Sequence, residues 1–250
     1  MASEAPTQRQ GWFGRVLRFA PAVLLAAGLA AAIGSGVLRH LSIEDLRASR
    51  YTLHGFVAAH PVGSVALYYA VYVGVVCLSI PGSLIMTLSG GFLFGPWIGG
   101  LAADVGCSSG AMVVYAVCRL TIGDSLDRRA SPRIRAFEKG FRREAFLYLL
   151  TLRLIPVTPF WLVNLAAGLL GAPFRKFAVA TVVGILPASV IYASLGSGLD
   201  KLFDRGEHLD AHFFMAPHIM VPLVGLALLS ILPIIHHQWR GRRTPSAPES

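Results

Sequence analysis

Residues 78–100 read LSIPGSLIMTLSGGFLFGPWIGG, an apolar stretch that is interrupted repeatedly by glycine and proline. The breaks fall at Pro81-Gly82, Gly90-Gly91, Gly95-Pro96 and Gly99-Gly100, at intervals too short for an ordinary spanning helix. The flanking sequence extends the apolar character, because residues 51–103 contain no Asp, Glu, Lys or Arg. As one helix they would be roughly 80 Å long, against a hydrocarbon core of about 30 Å. The stretch must therefore fold back on itself.

The spacing of the breaks predicts how the chain folds back. We predict a helix over 61–80, a broken pair of short half-helices over 82–98 and a further helix that begins near 99. Lipid cannot satisfy the N–H and C=O groups of irregular backbone, so such backbone occurs at membrane depth only where protein or a water-filled cavity surrounds it. The broken hairpin therefore indicates a cavity.

The second half of the chain repeats this pattern. Ile80-Pro81 corresponds to Ile155-Pro156 with a shift of 75 residues, and the rest corresponds with a shift of 77. The aligned pairs include Gly91 with Gly168, Leu93 with Leu170, Pro96 with Pro173, Ala103 with Ala180, Val105 with Val182, Ala111 with Ala188 and Tyr115 with Tyr192. Paired apolar segments that are broken by Gly and Pro indicate a transporter with its site where the broken helices meet.

The composition excludes most soluble classes of protein. Hydrophobic residues make up 54% of the 250 residues and charged residues only 14%, which predicts an integral membrane protein. The net charge of +9 lies mainly in loops between apolar segments, so we read it as a topology and headgroup signal and not as a nucleic-acid surface. Cys77, Cys107 and Cys118 lack the spacing of a disulfide framework or a metal site.

Both halves resemble the DedA superfamily, whose shared unit is the VTT or SNARE-associated Golgi protein domain. The resemblance covers about residues 60–200 and rests on Pro81, the run GGFLFGP at 90–96, Arg153, Pro156, Pro159, Asn164, Ala167-Gly168 and Phe174. It implies an all-α polytopic fold with two inverted repeats, each a re-entrant broken hairpin plus a transmembrane helix, and with flanking transmembrane helices. It also implies a role in moving lipids, including polyprenyl-phosphate carriers in some bacterial members and phospholipids in eukaryotic ones. Unlike the better-described bacterial branch, this sequence has no acidic residue in its first hairpin.

The chain divides into five parts around this core. We expect a disordered N-terminus, an anchor helix at Phe19–Leu38 with a following loop, a core with hairpins at 81–98 and 145–171, a loop with a last transmembrane helix near 217–235, and a basic tail. The corresponding ranges are 1–15, 16–60, 61–200, 201–236 and 237–250. Counting Lys and Arg in the connections between spans gives 13 on the side of the 121–145 loop and the tail and 5 on the other side, which predicts that both are cytoplasmic and leaves the side of the N-terminus open.

Arg153 is the first candidate for a binding residue. It is the one basic residue in the apolar run from Ala145 to Gly171, and a charge at membrane depth is normally retained only with a partner or a cavity. Its planar fork suits a phosphate, while Pro156 and Pro159 free nearby backbone carbonyls. The alternative is that Arg153 snorkels toward the interface.

Two further polar residues lie in or beside the hairpins. Asp104 could pair with Arg153, take up a proton for coupling or cap a helix. Asn164 could hydrogen-bond freed backbone or substrate. Arg119, at the end of its span, reads as an interfacial anchor.

Other positions read as structural. The glycines and prolines that shape the hairpins are Pro81, Gly82, Gly90, Gly91, Gly95, Pro96, Gly168 and Gly171, and the aromatic side chains that read as packing or interface residues include Phe92, Phe94, Trp97, Phe160 and Trp161. Between the hairpins, Ser131-Pro132 predicts the start of an amphipathic helix with an apolar stripe at Ile134, Phe137 and Phe141. Its basic face would contact anionic lipid headgroups on the cytoplasmic leaflet.

These features predict a cell-membrane transporter or scramblase of a phosphate-bearing lipid. A proton- or ion-coupled transporter of a small solute and an assembly factor without transport stay open as alternatives. No motif supplies a nucleophile, an acid/base pair, a cofactor or a metal frame, so we expect neither an enzyme nor a cofactor protein. A homo-oligomer is compatible with the sequence.

The predicted orientation can be measured by cysteine labelling. In a background that lacks the three native cysteines, single cysteines at Ser131 and Ser246 should resist an impermeant thiol reagent applied outside intact cells, because both segments are expected to be cytoplasmic. Reaction at both positions would reverse the orientation.

Overall fold

Every regular element in the described part of the chain is a helix, as predicted. The computed structural model describes residues 20, 22–31, 34, 47–80, 82–123, 132–154, 158–204 and 224. We number the helices α1 (Ala22–Ala31), α2 (Arg50–Ala59), α3 (Pro61–Cys77), α4 (Ser83–Cys118), α5 (Pro132–Leu154), α6 (Phe160–Leu169) and α7 (Phe174–Asp204), and a π-helical turn, Arg119–Gly123, follows α4.

Two of these helices are long and apolar enough to cross a membrane by themselves. They are α4 with the start of the π-helical turn, 39 residues over Ser83–Thr121, and α7, 30 residues over Phe174–Phe203. The pair α2 and α3 adds a third span if it counts as one, although the two helices are bent by 119°. α1 and α6 are shorter apolar helices.

The predicted flanking segments are described only in part. α1 lies inside the predicted anchor Phe19–Leu38. The predicted disordered N-terminus, the last transmembrane helix near 217–235 apart from residue 224, and the basic tail lie outside the described residues, as does the 124–131 part of the central loop. The predicted amphipathic helix is confirmed as helix from Pro132, at the start of α5, but the side chains of 132–140 lie outside the description.

α2 differs from the sequence prediction, which placed residues 50–59 in a loop. Arg50, Leu53, His54 and Val57 are spaced as one face of a helix, and this face is half-buried. Asp200 of α7 accepts hydrogen bonds from Arg50 (2.9 Å) and His54 (3.0 Å). Contacts with a distant helix therefore stabilise a segment that the sequence suggests is a connection.

α4 is two helices joined at Gly95. Gly95 has φ 79° and ψ 174°, a conformation that favours glycine, and Pro96 cannot donate a backbone hydrogen bond to the preceding turn. A Cβ on Gly90 would lie 3.1 Å from the carbonyl oxygen of Gly99. Those residues would be about 13 Å apart in a continuous helix, so the chain folds back sharply. We call residues 83–94 the short arm and residues 96–118 the long arm, which begins at 96 and not near 99.

α3 packs antiparallel to the short arm. The Tyr72 hydroxyl donates to the Ser83 carbonyl (3.0 Å), while the Tyr68 hydroxyl, one turn earlier, donates to the Met86 carbonyl (2.7 Å). The Tyr68 ring also meets Phe94 edge to face, with centroids 5.5 Å apart. The chain therefore reverses once between α3 and the short arm and again at Gly95.

The second half repeats this zigzag with α5, α6 and α7. Arg153 near the end of α5 hydrogen-bonds to Asn164 of α6, and Arg142 further back donates to the Leu170 carbonyl (3.3 Å), so α5 and α6 are antiparallel. α7 then runs beside α5, since Lys176 donates to the Arg142 carbonyl (3.2 Å). The predicted second hairpin thus has its arms in α5 and α6, with the break between 154 and 160.

The long arm and α7 form the centre of the fold. A Cβ on Gly100 would lie 3.1 Å from the Val190 Cα, and the Tyr115 and Phe177 rings stack at 4.7 Å. Because the residue number rises on one helix as it falls on the other, the two helices are antiparallel. Fully buried Ala111 and Ala180 belong to the core between them.

Each short helix packs on the long helix of the other half at a glycine. The backbone of Gly91 touches the backbone of Ala193 in α7, and a Cβ on Gly91 would overlap it. In the second half, a Cβ on Gly168 would lie 2.9 Å from the Tyr115 carbonyl oxygen and 3.0 Å from the Cys118 Cβ. These close approaches are possible because neither glycine has a side chain.

This packing makes a prediction about single methyl groups. Gly91→Ala should destabilise the protein by at least the roughly 1–3 kcal/mol of ordinary overpacking, because its Cβ meets backbone that cannot rotate away. Gly74→Ala in α3 is the matched control, since nothing lies within 4 Å of its Cβ. Thermal melting of the purified proteins should show a lower transition for Gly91→Ala only. Equal melting temperatures would contradict the close approach.

Candidate functional site

Arg153 is held by side chains from three helices. It lies in the last turn of α5, and its Nη2 donates to Asn164 Oδ1 of α6 (2.5 Å) and to Thr181 Oγ1 of α7 (3.2 Å). The guanidinium carbon lies 4.4 Å from the ring centre of Phe160 and 5.6 Å from that of Phe177, within range of a cation–π interaction with each. The guanidinium is therefore fixed in position and does not snorkel to the membrane surface.

The local sequence explains why Arg153 and Asn164 face each other. α5 ends at Leu154, close to Pro156, and a helix seldom continues into a proline because its ring clashes with the preceding turn. α6 begins after Pro159, whose φ of −58° and ψ of 126° suit an extended residue before a helix. The break brings two polar residues on successive helices together across the hairpin.

Two nitrogen atoms of Arg153 have no hydrogen-bond partner among the described residues. Nε and Nη1 are both buried from solvent, while Nη2 makes the two bonds to Asn164 and Thr181. A buried donor without a partner costs about 1–3 kcal/mol, and more when it is charged. The fork is thus oriented by neutral oxygens and retains donors that an anion can satisfy.

A cavity of about 270 Å³ adjoins this guanidinium. Its walls combine the short arm of α4, α3, the second hairpin and α7. Most of the lining is apolar, and the polar side chains other than Arg153 are Tyr72, Ser83, Thr87, Cys107, Thr158, Ser189 and Tyr192. The cavity therefore lies between the broken segments of the two halves, as the sequence pattern indicated.

Thr87 and Tyr72 stiffen the wall opposite Arg153. The Tyr72 hydroxyl lies 2.9 Å from Thr87 Oγ1, and Thr87 donates to the Ser83 carbonyl (2.8 Å). Tyr72 is almost fully buried, at 1% exposure. This wall consequently presents neutral oxygens in a fixed arrangement and no charge that competes with Arg153.

Asp104 does not pair with Arg153 in this structure. The two side chains form no ion pair within 4.0 Å, although both are described, and Arg153 bonds to Asn164 and Thr181 instead. Asp104 is 2% exposed and lies one turn after Gly100, on the part of the long arm that faces α7. Its Oδ1 and the Oγ of Ser108, one turn further, are buried without a hydrogen-bond partner among the described residues.

The structure brings together only part of the predicted site. Arg153 and Asn164 meet, Pro159 is exposed at the start of α6, and Pro156 lies outside the described residues, as does Pro81. Thr181 was not predicted, although the 77-residue register aligns it with Asp104 and aligns Asn164 with Thr87. Phe160 was interpreted as a packing or interface residue, and its position beside the guanidinium had no signal in the sequence. Among the described side chains, no three His, Cys, Asp or Glu residues are placed to hold a metal ion.

Comparisons with known proteins match the part of the chain that holds both broken segments. Residues 80–198, which include both broken segments, match the VTT domain. The chain is 31% identical to the Transmembrane protein 41 homolog of Caenorhabditis elegans over 169 residues, 66% of each chain. It is 27% identical to Transmembrane protein 41B of Mus musculus over 198 residues, which is 77% of this chain and 65% of that one.

A third relative is the Transmembrane protein 41 homolog of Dictyostelium discoideum, 29% identical over 68% of this chain and 50% of its own length. The chain thus spans between half and about two thirds of the length of these relatives. No solved structure matches it. The matched domain, the transmembrane relatives and the long apolar helices together show that this chain is a membrane protein of the VTT-domain family, the DedA superfamily.

Proposed function

We propose that this protein moves a phosphate-bearing lipid between the leaflets of the cell membrane, with the headgroup bound at Arg153. The observation that carries the proposal is the pair of buried donors on a guanidinium beside the cavity, which have no hydrogen-bond partner among the described residues. The resemblance to the DedA superfamily, whose members move or redistribute lipids, supports the same class of substrate.

The chemistry of the guanidinium favours phosphate. An arginine fork donates two parallel hydrogen bonds to a phosphate or a carboxylate, and such charge-assisted bonds are roughly twice as strong as neutral ones. Asn164 and Thr181 occupy Nη2 and leave Nε and Nη1 for a ligand. Because the site lies at membrane depth, an anion that reaches it also neutralises an expensive buried charge.

The size of the cavity favours a headgroup over a whole lipid. A volume of about 270 Å³ lies just below the roughly 300–1,000 Å³ of pockets that enclose a complete small-molecule ligand. Acyl chains would therefore remain outside, against the exposed apolar side chains of the helices, while the phosphate sits inside. This arrangement suits a lipid whose headgroup moves through the protein while its acyl chains stay in the bilayer.

We further propose that the two halves are inverted repeats. In the 77-residue register, Gly91 corresponds to Gly168, and Ala193 corresponds to residue 116. Gly91 lies against Ala193, so inverted repeats would place Gly168 against residue 116. Gly168 lies against Tyr115 and Cys118, on either side of that position. The contact between Gly91 and Ala193 therefore has a counterpart in which the second half supplies the short helix and the first half supplies the long one.

A second exchanged pair supports the same relation. The Leu88 carbonyl touches the backbone of Gly196, and the exchange predicts a contact between residues 165 and 119. The Leu165 carbonyl accepts a hydrogen bond from the Cys118 thiol (3.6 Å), one residue away. Since the long arm and α7 are also antiparallel, the exchange reverses the helix direction, as a twofold axis in the membrane plane does.

Coupled transport of a small solute is the second candidate, and Asp104 is the observation that favours it. A carboxyl group that is 2% exposed, with Oδ1 unpartnered among the described residues, is a candidate for proton or ion uptake. It does not line the cavity beside Arg153, however, so substrate and proton would occupy separate places. Lipid movement requires no such second site.

Leaflet exchange in proteoliposomes tests the role of Arg153. Arg153→Ala should slow the exchange of a fluorescent phospholipid at least about tenfold, because hydrogen bonds to a charged group contribute about 1.5–3 kcal/mol. Arg153→Lys should retain part of the rate, since it keeps the charge and loses the fork. The control is Lys201→Ala, which removes an exposed charge from the last turn of α7. Exchange at the wild-type rate in Arg153→Ala would defeat the proposal.

Double-mutant cycles distinguish a phosphate-binding role of Arg153 from an ion pair between Arg153 and Asp104. Arg153→Ala combined with Asp104→Asn should give additive changes in the free energy of unfolding, within about 0.5 kcal/mol, because the two residues are not paired. Arg153→Ala combined with Asn164→Ala is the matched cycle and should show a coupling of about 0.5–3 kcal/mol, because these two are bonded. Strong coupling in the first cycle would mean that Arg153 serves to neutralise Asp104.

A further inference from the structure

We propose that the cavity beside Arg153 selects a headgroup whose phosphate carries an uncharged, hydroxyl-bearing group, as in phosphatidylglycerol, and that Ser189 and Tyr192 of α7 determine this preference. Headgroups that carry an amine, such as choline and ethanolamine, are bound and moved less well. The inference rests on the proposed function, because it names the class of headgroup that the same site takes. Binding tests the preference without lipid movement.

The charge on the cavity lining comes from Arg153. The other polar side chains of the lining are Tyr, Ser, Thr and Cys, and no Asp or Glu is among the described residues that line the cavity. Asp104 precedes Cys107 by one turn of the long arm, but it does not line the cavity. A phosphate diester with an uncharged remainder therefore supplies the negative charge that balances the guanidinium.

An amine-bearing headgroup would leave the cavity with an unbalanced charge. Its ammonium is tethered to the phosphate and would enter the same cavity, where no carboxylate of the described residues lines the wall. Two cations would then share one phosphate at membrane depth, and a buried charge without a partner is strongly unfavourable. The cavity therefore favours anionic headgroups over zwitterionic ones.

The aromatic side chains of the lining do not form a cage for a quaternary amine, since such a cage needs free ring faces. The Arg153 guanidinium carbon lies over the Phe160 ring, 4.4 Å from its centre. Tyr72 is 1% exposed, so protein covers its ring. Tyr192 is the remaining aromatic residue that lines the cavity, and one ring does not make a cage.

Ser189 has a free hydroxyl group, unlike several other helical serines of this structure. Ser64, Ser89 and Ser194 each donate to the carbonyl oxygen four residues earlier, at 2.7 Å. Ser189 makes no hydrogen bond to another described residue, although it is only 4% exposed and lines the cavity. A buried hydroxyl group without a partner is unfavourable, and a hydroxyl of a bound headgroup can supply that partner.

Tyr192 adds a second hydroxyl group on the same face of α7. It follows Ser189 by three residues, and both line the cavity. In the 77-residue register Tyr192 corresponds to Tyr115, whose hydroxyl donates to the Ala172 carbonyl. Tyr192 makes no hydrogen bond to another described residue. One tyrosine of the pair therefore stabilises a turn, and the other is available to a ligand.

The lining thus has two parts that suit two parts of one headgroup. The guanidinium of Arg153 suits a phosphate. The hydroxyl groups of Ser189 and Tyr192 can both donate and accept hydrogen bonds, which suits the hydroxyl groups of a polyol. A polyol phosphate uses both parts of the lining, whereas a plain phosphate monoester uses the guanidinium alone.

Leaflet exchange of three lipids tests the proposal. Proteoliposomes of the full-length protein carry phosphatidylglycerol, phosphatidic acid or phosphatidylcholine with the fluorophore on an acyl chain, so that each headgroup is intact. Wild-type protein should exchange phosphatidylglycerol about tenfold or more faster than phosphatidylcholine, because the second lipid brings an unpaired cation. Equal rates for these two lipids would overturn the proposal.

The two hydroxyl groups are tested by Ser189→Ala combined with Tyr192→Phe. This variant should slow phosphatidylglycerol about threefold or more and keep phosphatidic acid within about twofold of wild type, because phosphatidic acid has no glycerol beyond its phosphate. The melting temperature should match wild type, since neither hydroxyl bonds to another described residue. Unchanged phosphatidylglycerol exchange, or equal slowing of both lipids, would contradict the assigned roles.

Ser194→Ala is the matched control for this variant. It removes a hydroxyl group from the same helix, but that hydroxyl bonds to the Val190 carbonyl and does not line the cavity. The ratio of phosphatidylglycerol to phosphatidylcholine exchange should therefore match that of wild type. A ratio that falls as far as in the double variant would show a general effect on α7 and overturn the proposal.

A carboxylate introduced at Thr158, which lines the cavity in the break between α5 and α6, should change the preference. Thr158→Asp should lower the ratio of phosphatidylglycerol to phosphatidylcholine exchange about tenfold relative to Thr158→Asn, since a carboxylate pairs with an amine and repels an anion. The asparagine variant has the same shape without the charge, so a difference between the two is electrostatic. Equal ratios in two variants that melt alike would overturn the proposal.

Binding separates this inference from the proposed function. In native mass spectrometry, wild-type protein should prefer phosphatidylglycerol to phosphatidylcholine, and Arg153→Ala should lose the preference. If wild-type protein shows this preference but exchanges no lipid, the proposed function fails and the headgroup assignment stands. If it binds both lipids equally, the assignment fails. If glycerol 3-phosphate displaces phosphatidylglycerol with the affinity of the lipid itself, the site takes a free polyol phosphate, and the assignment to a lipid is wrong.

Discussion

The fold depends on one constraint, which is that lipid offers no hydrogen-bond partner to a broken helix. The chain breaks its helices at Gly95, between 154 and 160, and again at Gly171, all within apolar sequence. Each short helix next to a break packs on a long helix of the other half. Glycine makes this possible, since at Gly91 and Gly168 the backbones are too close for a bulky side chain.

The same breaks create the polar site. In a continuous helix through 145–171, Arg153 and Asn164 would lie about three turns, or about 16 Å, apart along the axis, too far to meet. The reversal brings them into hydrogen-bond contact, and α7 adds Thr181 from the far side. Neutral groups therefore orient the Arg153 guanidinium, and no carboxylate among the described residues neutralises its charge.

The charge beside the cavity belongs to one half of the chain. In the 75-residue register of the first break, Arg153 of α5 corresponds to Leu78, which follows α3. The first half therefore contributes neutral and apolar walls to the cavity, and the second half contributes the guanidinium.

The amino-acid sequence by itself determined the class and some of the places where the helices break, whereas the predicted breaks at Gly90-Gly91 and Gly99-Gly100 were wrong, because both pairs lie inside helices. Glycine and proline act on the local backbone, so Gly95-Pro96 and the Pro156–Pro159 region could be identified without knowing what surrounds them, and a lone arginine in an apolar run predicted a site. The tertiary structure alone decided the partners. Thr181 comes to Arg153 and Thr87 comes to the cavity from distant helices, and Asp104 faces α7 instead of Arg153, because side-chain contacts depend on which helices cross and in which register. That register is set by close backbone contacts, such as Gly91 on Ala193, between residues about a hundred positions apart, and no local pattern encodes it.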